Sequence, residues 1–183
     1  ANFPDKRPWE GGTKTWYDTV WMLANPNAGW KIIGKLPHPL GYGVSVTFGD
    51  EMVCIGGSNT EGHHAECFAL KWKDGQLQTR PLPPLPQPCA NMSGALVGSI
   101  VYVAGGIRKP DSVTAEHTFW SLDLMQANAS WRTLPAWPGK ERMLAVAGAD
   151  HDHFYLFSGA ALHPDKDGKP EREWLKDAFR YSP

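Results

Sequence analysis

The chain has 183 residues, a formal net charge of −1 and no cluster of Lys or Arg residues. This balance argues against a binding surface for nucleic acid or for anionic membranes, and no apolar run is long enough for a membrane-spanning helix. The three cysteines have no CxxC spacing, so neither a zinc site nor a disulfide framework is predicted. We therefore expect no metal and no other cofactor.

A repeat organises the chain. Nine Trp, sixteen Pro and nineteen Gly are typical of many short strands and tight turns. A short apolar run that ends in two small residues occurs three times, as EMVCIGG, SIVYVAGG and HFYLFSGA. The second small residue of the first two runs is Gly57 and Gly106, 49 residues apart, and Gly159 follows 53 residues later. Further strand-like runs surround each of these, which gives four short strands, a to d, in a repeat of about fifty residues. Four strands in a repeat of this length indicate a propeller blade.

Taken in chain order, the strands divide the chain into four predicted units. Residues 1–36 hold the end of one blade, with strands c and d only. Complete blades are predicted at 41–85 and 91–135, where we expect no helix longer than two turns. Residues 142–181 form a last blade that lacks strand d.

Two residue types have predicted structural roles in the repeat. The small pairs allow strand b to turn into its loop close to the propeller axis, where inner strands crowd together. Trp30 and Trp131 begin strand d in two of the units, and we expect each to pack between adjacent blades.

Five segments carry a resemblance to a known family. The repeat resembles kelch and, more narrowly, the cyclically permuted mutarotase family that includes the N-acetylneuraminate epimerases (sialic acid mutarotases). The resemblance covers essentially the whole chain and implies an all-β, kelch-type β-propeller, with about three blades of a six-bladed ring. The segments that carry it are ANFPDKRPWEGGTKTWYDTVWML (1–23), LPHPLGYGVSV (36–46), VCIGGS (53–58), CANMSGALVGSIVYVAGG (89–106) and RMLAVAGADHDHFYLFSGAAL (142–162).

The resemblance also implies an activity in carbohydrate metabolism. A mutarotase is an isomerase that interconverts sugar anomers by ring opening, with a general base at the anomeric hydroxyl and an acid at the ring oxygen. The family's catalytic pair is a Glu followed six residues later by an Arg in a b–c loop, and none of the b–c loops here has the pair at that spacing. We therefore expect the pair to lie outside this chain. The alternative is a non-catalytic kelch-type binding or assembly module.

Candidate site residues lie on the face that carries the b–c loops, which include 57–64 and 159–173, and the d-to-a connections. Glu10 matches a Glu in the family's opening loop and is the candidate catalytic carboxylate, or else it orders its loop by accepting N–H bonds. Arg142 is the candidate bidentate partner of a substrate carboxylate, or else a blade-to-blade contact. Tyr42 and Asn91 begin inner strands and are expected to face the axis, or else to bridge blades through water. Trp9 is expected to stack on a sugar or to cover a blade edge.

Partners and location follow from the same resemblance. The substrate it implies is a sugar acid such as sialic acid. The remaining blades would come from a longer chain, which we favour, from a complementary chain or from a second copy. No signal peptide is recognised, and the resemblance slightly favours a periplasmic or secreted location. His63, His64 and the HDH at 151–153 do not share a face, so no metal site is predicted from them.

Overall fold

A computed structural model describes all 183 residues, and the chain is almost entirely β-strand. Its one helix is a single 3-10 turn at Pro8–Glu10, which is too short to cross a membrane. The all-β prediction is confirmed. The strands are β1 (Thr19–Met22), β2 (Lys31–Lys35), β3 (Val44–Phe48), β4 (Glu51–Asn59), β5 (Gly62–Lys73), β6 (Gln76–Leu82), β7 (Ser93–Val97), β8 (Ile100–Ala104), β9 (Phe119–Asp123), β10 (Arg132–Thr133), β11 (Val146–Ala149), β12 (Phe154–Phe157), β13 (Ala160–Pro164), β14 (Pro170–Trp174) and β15 (Ala178–Tyr181).

The strands form antiparallel sheets that follow one another along the chain. Strands β1 and β2 make the first sheet. The second has the order β3-β4-β5-β6, the third β7-β8-β9-β10, and the fourth β11-β12-β15. Strands β13 and β14 form a separate hairpin between β12 and β15. The second and third sheets lie within residues 41–85 and 91–135, and no helix interrupts either range.

The core lies between neighbouring sheets, and the alternating side chains of β8 in the third sheet show how it is built. Val101 and Val103 of β8 pack on one side, in a cluster with residues of β3, β4 and β5. Tyr102 and Ala104 pack on the other side, with Phe154 and other residues of the fourth sheet. Because successive strand residues point to opposite faces, β8 is apolar on both. Burial on both faces explains why its sequence is a continuous apolar run.

The small pair that ends strand b is required by close backbone contacts. Gly105 and Gly106 have φ values of +67° and +100°. A Cβ on Gly105 would collide with the carbonyl oxygen of Arg142, and one on Gly106 would lie 2.7 Å from that of Ala90. The first glycine thus faces the chain that enters the next sheet, and the second faces the entry to its own sheet.

Two segments predicted as loops are hairpins instead. Strands β4 and β5 continue past a bulge near Ile55 and Gly57 and stay paired to Asn59 and Gly62. The side chain of Asn59 accepts a hydrogen bond from the Glu61 amide (2.8 Å), which closes the turn. Similarly, the predicted loop 159–173 contains the β13–β14 hairpin. Polar sequence hid both pairings, because neither hairpin has the apolar alternation of a half-buried strand.

Trp131 links two sheets. Its indole Nε1 donates to the carbonyl oxygen of Pro83 (2.9 Å), which follows the last strand of the preceding sheet, and its ring packs against the core between them. Trp30 has the same place in the repeat but belongs to the first sheet, and it is 63% exposed. The packing predicted for both residues is therefore present at Trp131 alone.

Replacing Trp131 with Phe should lower the free energy of unfolding by about 1–2 kcal/mol, because the indole hydrogen bond and part of the ring contact are lost. Urea unfolding followed by far-UV circular dichroism would measure this. Trp30→Phe is the matched control and should change the stability by less than about 0.5 kcal/mol. Equal effects of the two substitutions would contradict the contact at Pro83.

Candidate functional site

Three residues with left-handed backbone conformation mark the same position in successive sheets. Tyr42, Asn91 and Leu144 have φ values of 60°, 56° and 55°, and each stands just before the first strand of its sheet. The Asn91 amide donates to the Tyr42 carbonyl oxygen (2.8 Å), and the Leu144 amide donates to the Asn91 carbonyl oxygen (2.9 Å). This conformation is uncommon for residues other than glycine and is held only where the surroundings impose it. We refer to these three residues as the corner relay.

The corner relay lines a cavity of about 950 Å³. The cavity lies where the β4–β5 and β13–β14 hairpins, the 107–112 segment and the opening segment meet. Tyr42 and Asn91 line it, and Leu144 is the equivalent residue that we did not predict. The other lining residues are Lys14, Trp16, Ser58, Asn59, Thr60, His63, Ile107, Pro110, Ser112, Met143, Leu162, Pro170, Glu171, Arg172 and Trp174.

The cavity wall carries two cations that form no ion pair and no side-chain hydrogen bond within the chain. The Lys14 ammonium lies 4.8 Å from the ring centroid of Tyr42 and 5.3 Å from that of Trp16. The Arg172 guanidinium lies 6.0 Å from the ring of Trp174. Glu171 is the one carboxylate among the lining residues. The wall therefore combines aromatic surface with available positive charge, which suits a ligand that has both an apolar face and an anionic group.

A neutral polar pair completes the wall on the β4–β5 hairpin. His63 Nδ1 lies 2.9 Å from Ser58 Oγ. Burial lowers the pKa of His63 below its ordinary value, so the imidazole is neutral at pH 7. The cavity thus offers an uncharged hydrogen-bonding group beside its two cations.

Known proteins share sequence or fold with parts of this chain. No family model matches the chain. The N-acetylneuraminate epimerase of Salmonella enteritidis PT4 (strain P125109) is 51% identical over 69 residues, which is 37% of this chain and 17% of that protein. The N-acetylneuraminate epimerase of Haemophilus influenzae (strain PittEE) is 35% identical over 101 residues, 55% of this chain and 24% of that protein. The solved structure of YjhT matches with a TM-score of 0.63 at 14% identity, over 85% of this chain and 58% of YjhT.

The chain has the fold of a kelch-type β-propeller, as the repeat predicted, and YjhT shares it. The sequence matches to the two epimerases support the resemblance to the mutarotase family. The matched segments span less than a quarter of the two epimerases' lengths.

Glu10 and Trp9 do not line the cavity. Both lie in the 3-10 turn of the opening segment, where a Glu10 carboxylate oxygen accepts from the Arg7 amide (3.0 Å). Trp9 is 76% exposed, with the Arg7 guanidinium over its ring. The geometry does not support the predicted catalytic contact of Glu10 or sugar stacking on Trp9, and it favours the alternative in which Glu10 orders its loop.

Arg142 does not line the cavity either, and it is fully buried. Its guanidinium makes a bidentate pair with Asp177 (2.7 and 3.1 Å) and donates to the Ser158 carbonyl oxygen (2.8 Å). The rings of Trp137 and Phe179 lie within 5.3 Å of the guanidinium carbon. The hydrogen bond from Arg142 lowers the pKa of Asp177. This geometry does not support the predicted contact with a substrate carboxylate, because the Arg142 guanidinium is already paired with Asp177.

Lys14 and Arg172 are the residues that the sequence did not single out. Their contribution depends on which side chains meet around the cavity, and the repeat does not encode that. Leu144 could have been found, because it occupies the repeat position of Tyr42 and Asn91.

Proposed function

We propose that this chain is part of a sugar-acid mutarotase that interconverts the anomers of N-acetylneuraminate or of a similar acid. The observation that carries the proposal is the cavity, which presents two unpaired cations and an aromatic wall. Similarity to proteins named N-acetylneuraminate epimerase supports the same substrate class.

The chemistry of a sugar acid fits this wall. A carboxylate forms charge-assisted hydrogen bonds with Lys14 and Arg172. The apolar face of a sugar ring packs against Trp16 or Trp174, both of which line the cavity. Ring opening also needs a proton taken from the anomeric hydroxyl and another delivered to the ring oxygen. In this proposal Lys14, Arg172 and the aromatic wall bind and orient the sugar, and the Glu–Arg catalytic pair comes from the remaining blades.

The proposed ring extends beyond the sheets of this chain. The four-stranded sheets within 41–85 and 91–135 are its complete blades, and the sheets within 1–36 and 142–181 are parts of two more. A longer propeller supplies the remaining blades, in preference to a complementary chain or a second copy. Light scattering on the purified 183-residue chain should therefore detect association, because open blade faces and strand edges attract partners. A monodisperse monomer with cooperative unfolding would contradict this requirement.

The activity is tested by proton NMR with freshly generated α-N-acetylneuraminate. A longer propeller that includes residues 1–183 should speed the approach to anomeric equilibrium relative to buffer. A folded protein that binds the sugar without accelerating the exchange would reject the mutarotase proposal.

That last outcome would support the alternative, a non-catalytic kelch-type binding module. One observation favours it. Glu171 is the one carboxylate on the cavity wall, and Glu10 lies elsewhere, so acid–base groups are sparse.

Removing either cation should weaken the binding of N-acetylneuraminate. We expect Arg172→Gln and Lys14→Gln each to raise Kd about tenfold, because each removes one charge-assisted contact. Isothermal titration calorimetry would measure the affinity, and the binding of a neutral sugar should not change. Lys166→Gln is the control, since Lys166 lies in the turn of the β13–β14 hairpin and does not line the cavity. A uniform effect of all three changes would refute a local carboxylate contact.

A further inference from the structure

Hydrogen bonds around Ser58 favour one tautomer of His63. The Ser58 hydroxyl lies within donating distance of the carbonyl oxygens of Gly62 (3.1 Å) and Asn59 (3.5 Å), which can only accept. When its one proton is used there, the contact with His63 Nδ1 (2.9 Å) uses a proton on that nitrogen. This arrangement favours the neutral tautomer with Nδ1 protonated, which leaves the lone pair of Nε2 free.

Nε2 of His63 has no hydrogen-bond partner in the chain, although it is shielded from solvent. A buried acceptor without a donor is unfavourable, and proteins rarely retain one without a reason. His63 belongs to the wall of the large cavity, together with Ser58, Asn59 and Thr60 of the same hairpin. The unpaired acceptor therefore belongs to a residue of the wall that the sugar acid is proposed to contact.

We propose that Nε2 of His63 accepts a hydrogen bond from a hydroxyl group of the sugar acid bound in this cavity. The inference rests on the proposed function and adds to it a residue that selects for a hydroxylated ligand. Lys14 and Arg172 recognise the carboxylate, whereas a neutral acceptor recognises a hydroxyl and leaves the net charge of the wall unchanged. Because Nε2 is shielded in this structure, the proposed contact requires neighbouring side chains of the wall to shift on binding.

The adjacent residue provides a matched comparison. His64 also has an unpartnered, shielded Nε2. Its ring lies 4.7 Å from that of His38, which pairs with Glu66, and it does not line the cavity. The two histidines thus share the unsatisfied nitrogen and differ in their position relative to the ligand.

The test compares two amides at position 63. In His63→Asn the side-chain amide nitrogen takes the place of Nδ1 and keeps the bond to Ser58, but the acceptor at Nε2 is removed. In His63→Gln the longer side chain brings an amide oxygen close to the Nε2 position. We expect His63→Asn to raise the calorimetric Kd for N-acetylneuraminate about tenfold. His63→Gln should stay within about threefold of the wild type, and His64→Asn should leave the affinity unchanged.

Nitrogen-15 NMR of the wild-type chain gives a measurement that does not depend on how the variants fold. The spectrum should identify His63 as the Nδ1-protonated tautomer, and the Nε2 resonance should shift on addition of N-acetylneuraminate. An Nε2-protonated tautomer, or wild-type affinity in a folded His63→Asn, would overturn the assignment of His63 alone. No binding of the sugar by the wild-type chain would overturn this assignment together with the proposed carboxylate contacts.

Discussion

Replacing Arg142 with Leu is expected to lower the free energy of unfolding by about 3 kcal/mol. The substitution removes the bidentate pair with Asp177 and leaves the carbonyl oxygen of Ser158 without its donor. It also removes the cation between the rings of Trp137 and Phe179. Urea unfolding monitored by tryptophan fluorescence would measure the loss.

Arg80→Leu is the matched control for Arg142→Leu. Arg80 also pairs with a carboxylate, that of Glu51, but its side chain is 55% exposed. Exposed pairs contribute little, so we expect a change below about 1 kcal/mol. A cost at Arg142 no larger than the cost at Arg80 would show that burial of the guanidinium does not stabilise the fold.

The effect of Arg142→Leu should also depend on pH. The hydrogen bond from Arg142 lowers the pKa of Asp177 in the folded chain below its unfolded value. The stabilisation from this carboxylate is therefore fully present above the unfolded pKa and is lost as the pH falls through the folded pKa. The stability difference between the wild type and Arg142→Leu should narrow in acid, and an unchanged difference at low pH would argue against the pair.

The second large effect is expected at Gly106. Gly106→Ala should destabilise the fold by about 3 kcal/mol, because φ of +100° is unfavourable for alanine and the new methyl group collides with its surroundings. The added Cβ would lie 2.6 Å from Met92 Cγ and 2.7 Å from the Ala90 carbonyl oxygen. Thermal and urea unfolding would both report the change.

Gly75 separates the two causes of the effect at Gly106. Its φ is +76°, but a Cβ there would meet no atom within 4 Å. Gly75→Ala should therefore cost about 1 kcal/mol, from backbone strain alone. If Gly75→Ala and Gly106→Ala lowered the free energy of unfolding equally, the collision with Met92 and Ala90 would contribute nothing to the loss at Gly106.

Much of the fold could be predicted because the repeat reports backbone requirements. The small residues at Gly106 and its equivalents mark places where φ is positive and another segment passes close, which limits the choice of residue. The strand β8 could also be predicted, because burial of both faces makes its sequence a continuous apolar run. The two polar hairpins were missed, because their pairing is fixed by turns such as that at Asn59 and not by an apolar pattern.

The site was less predictable because a side chain's role depends on partners far away in sequence. Tyr42 and Asn91 line the cavity because their position follows from the repeat. Arg142 has the same kind of position, yet its guanidinium is held by Asp177, which lies 35 residues further along the chain. The local sequence of Arg142 does not show whether its guanidinium pairs with a carboxylate of the chain or is free to bind a ligand.

The corner relay suggests how the specificity of such a cavity can diverge. Its three members are joined through main-chain amides and carbonyl oxygens, and none of these bonds uses a side chain. The relay tolerates residues as different as Tyr42, Asn91 and Leu144, although all three face the cavity. Mutation can therefore exchange an aromatic, an amide or an aliphatic group at the pocket without breaking the contact between sheets. Ligand preference at these corners can change while the scaffold stays the same.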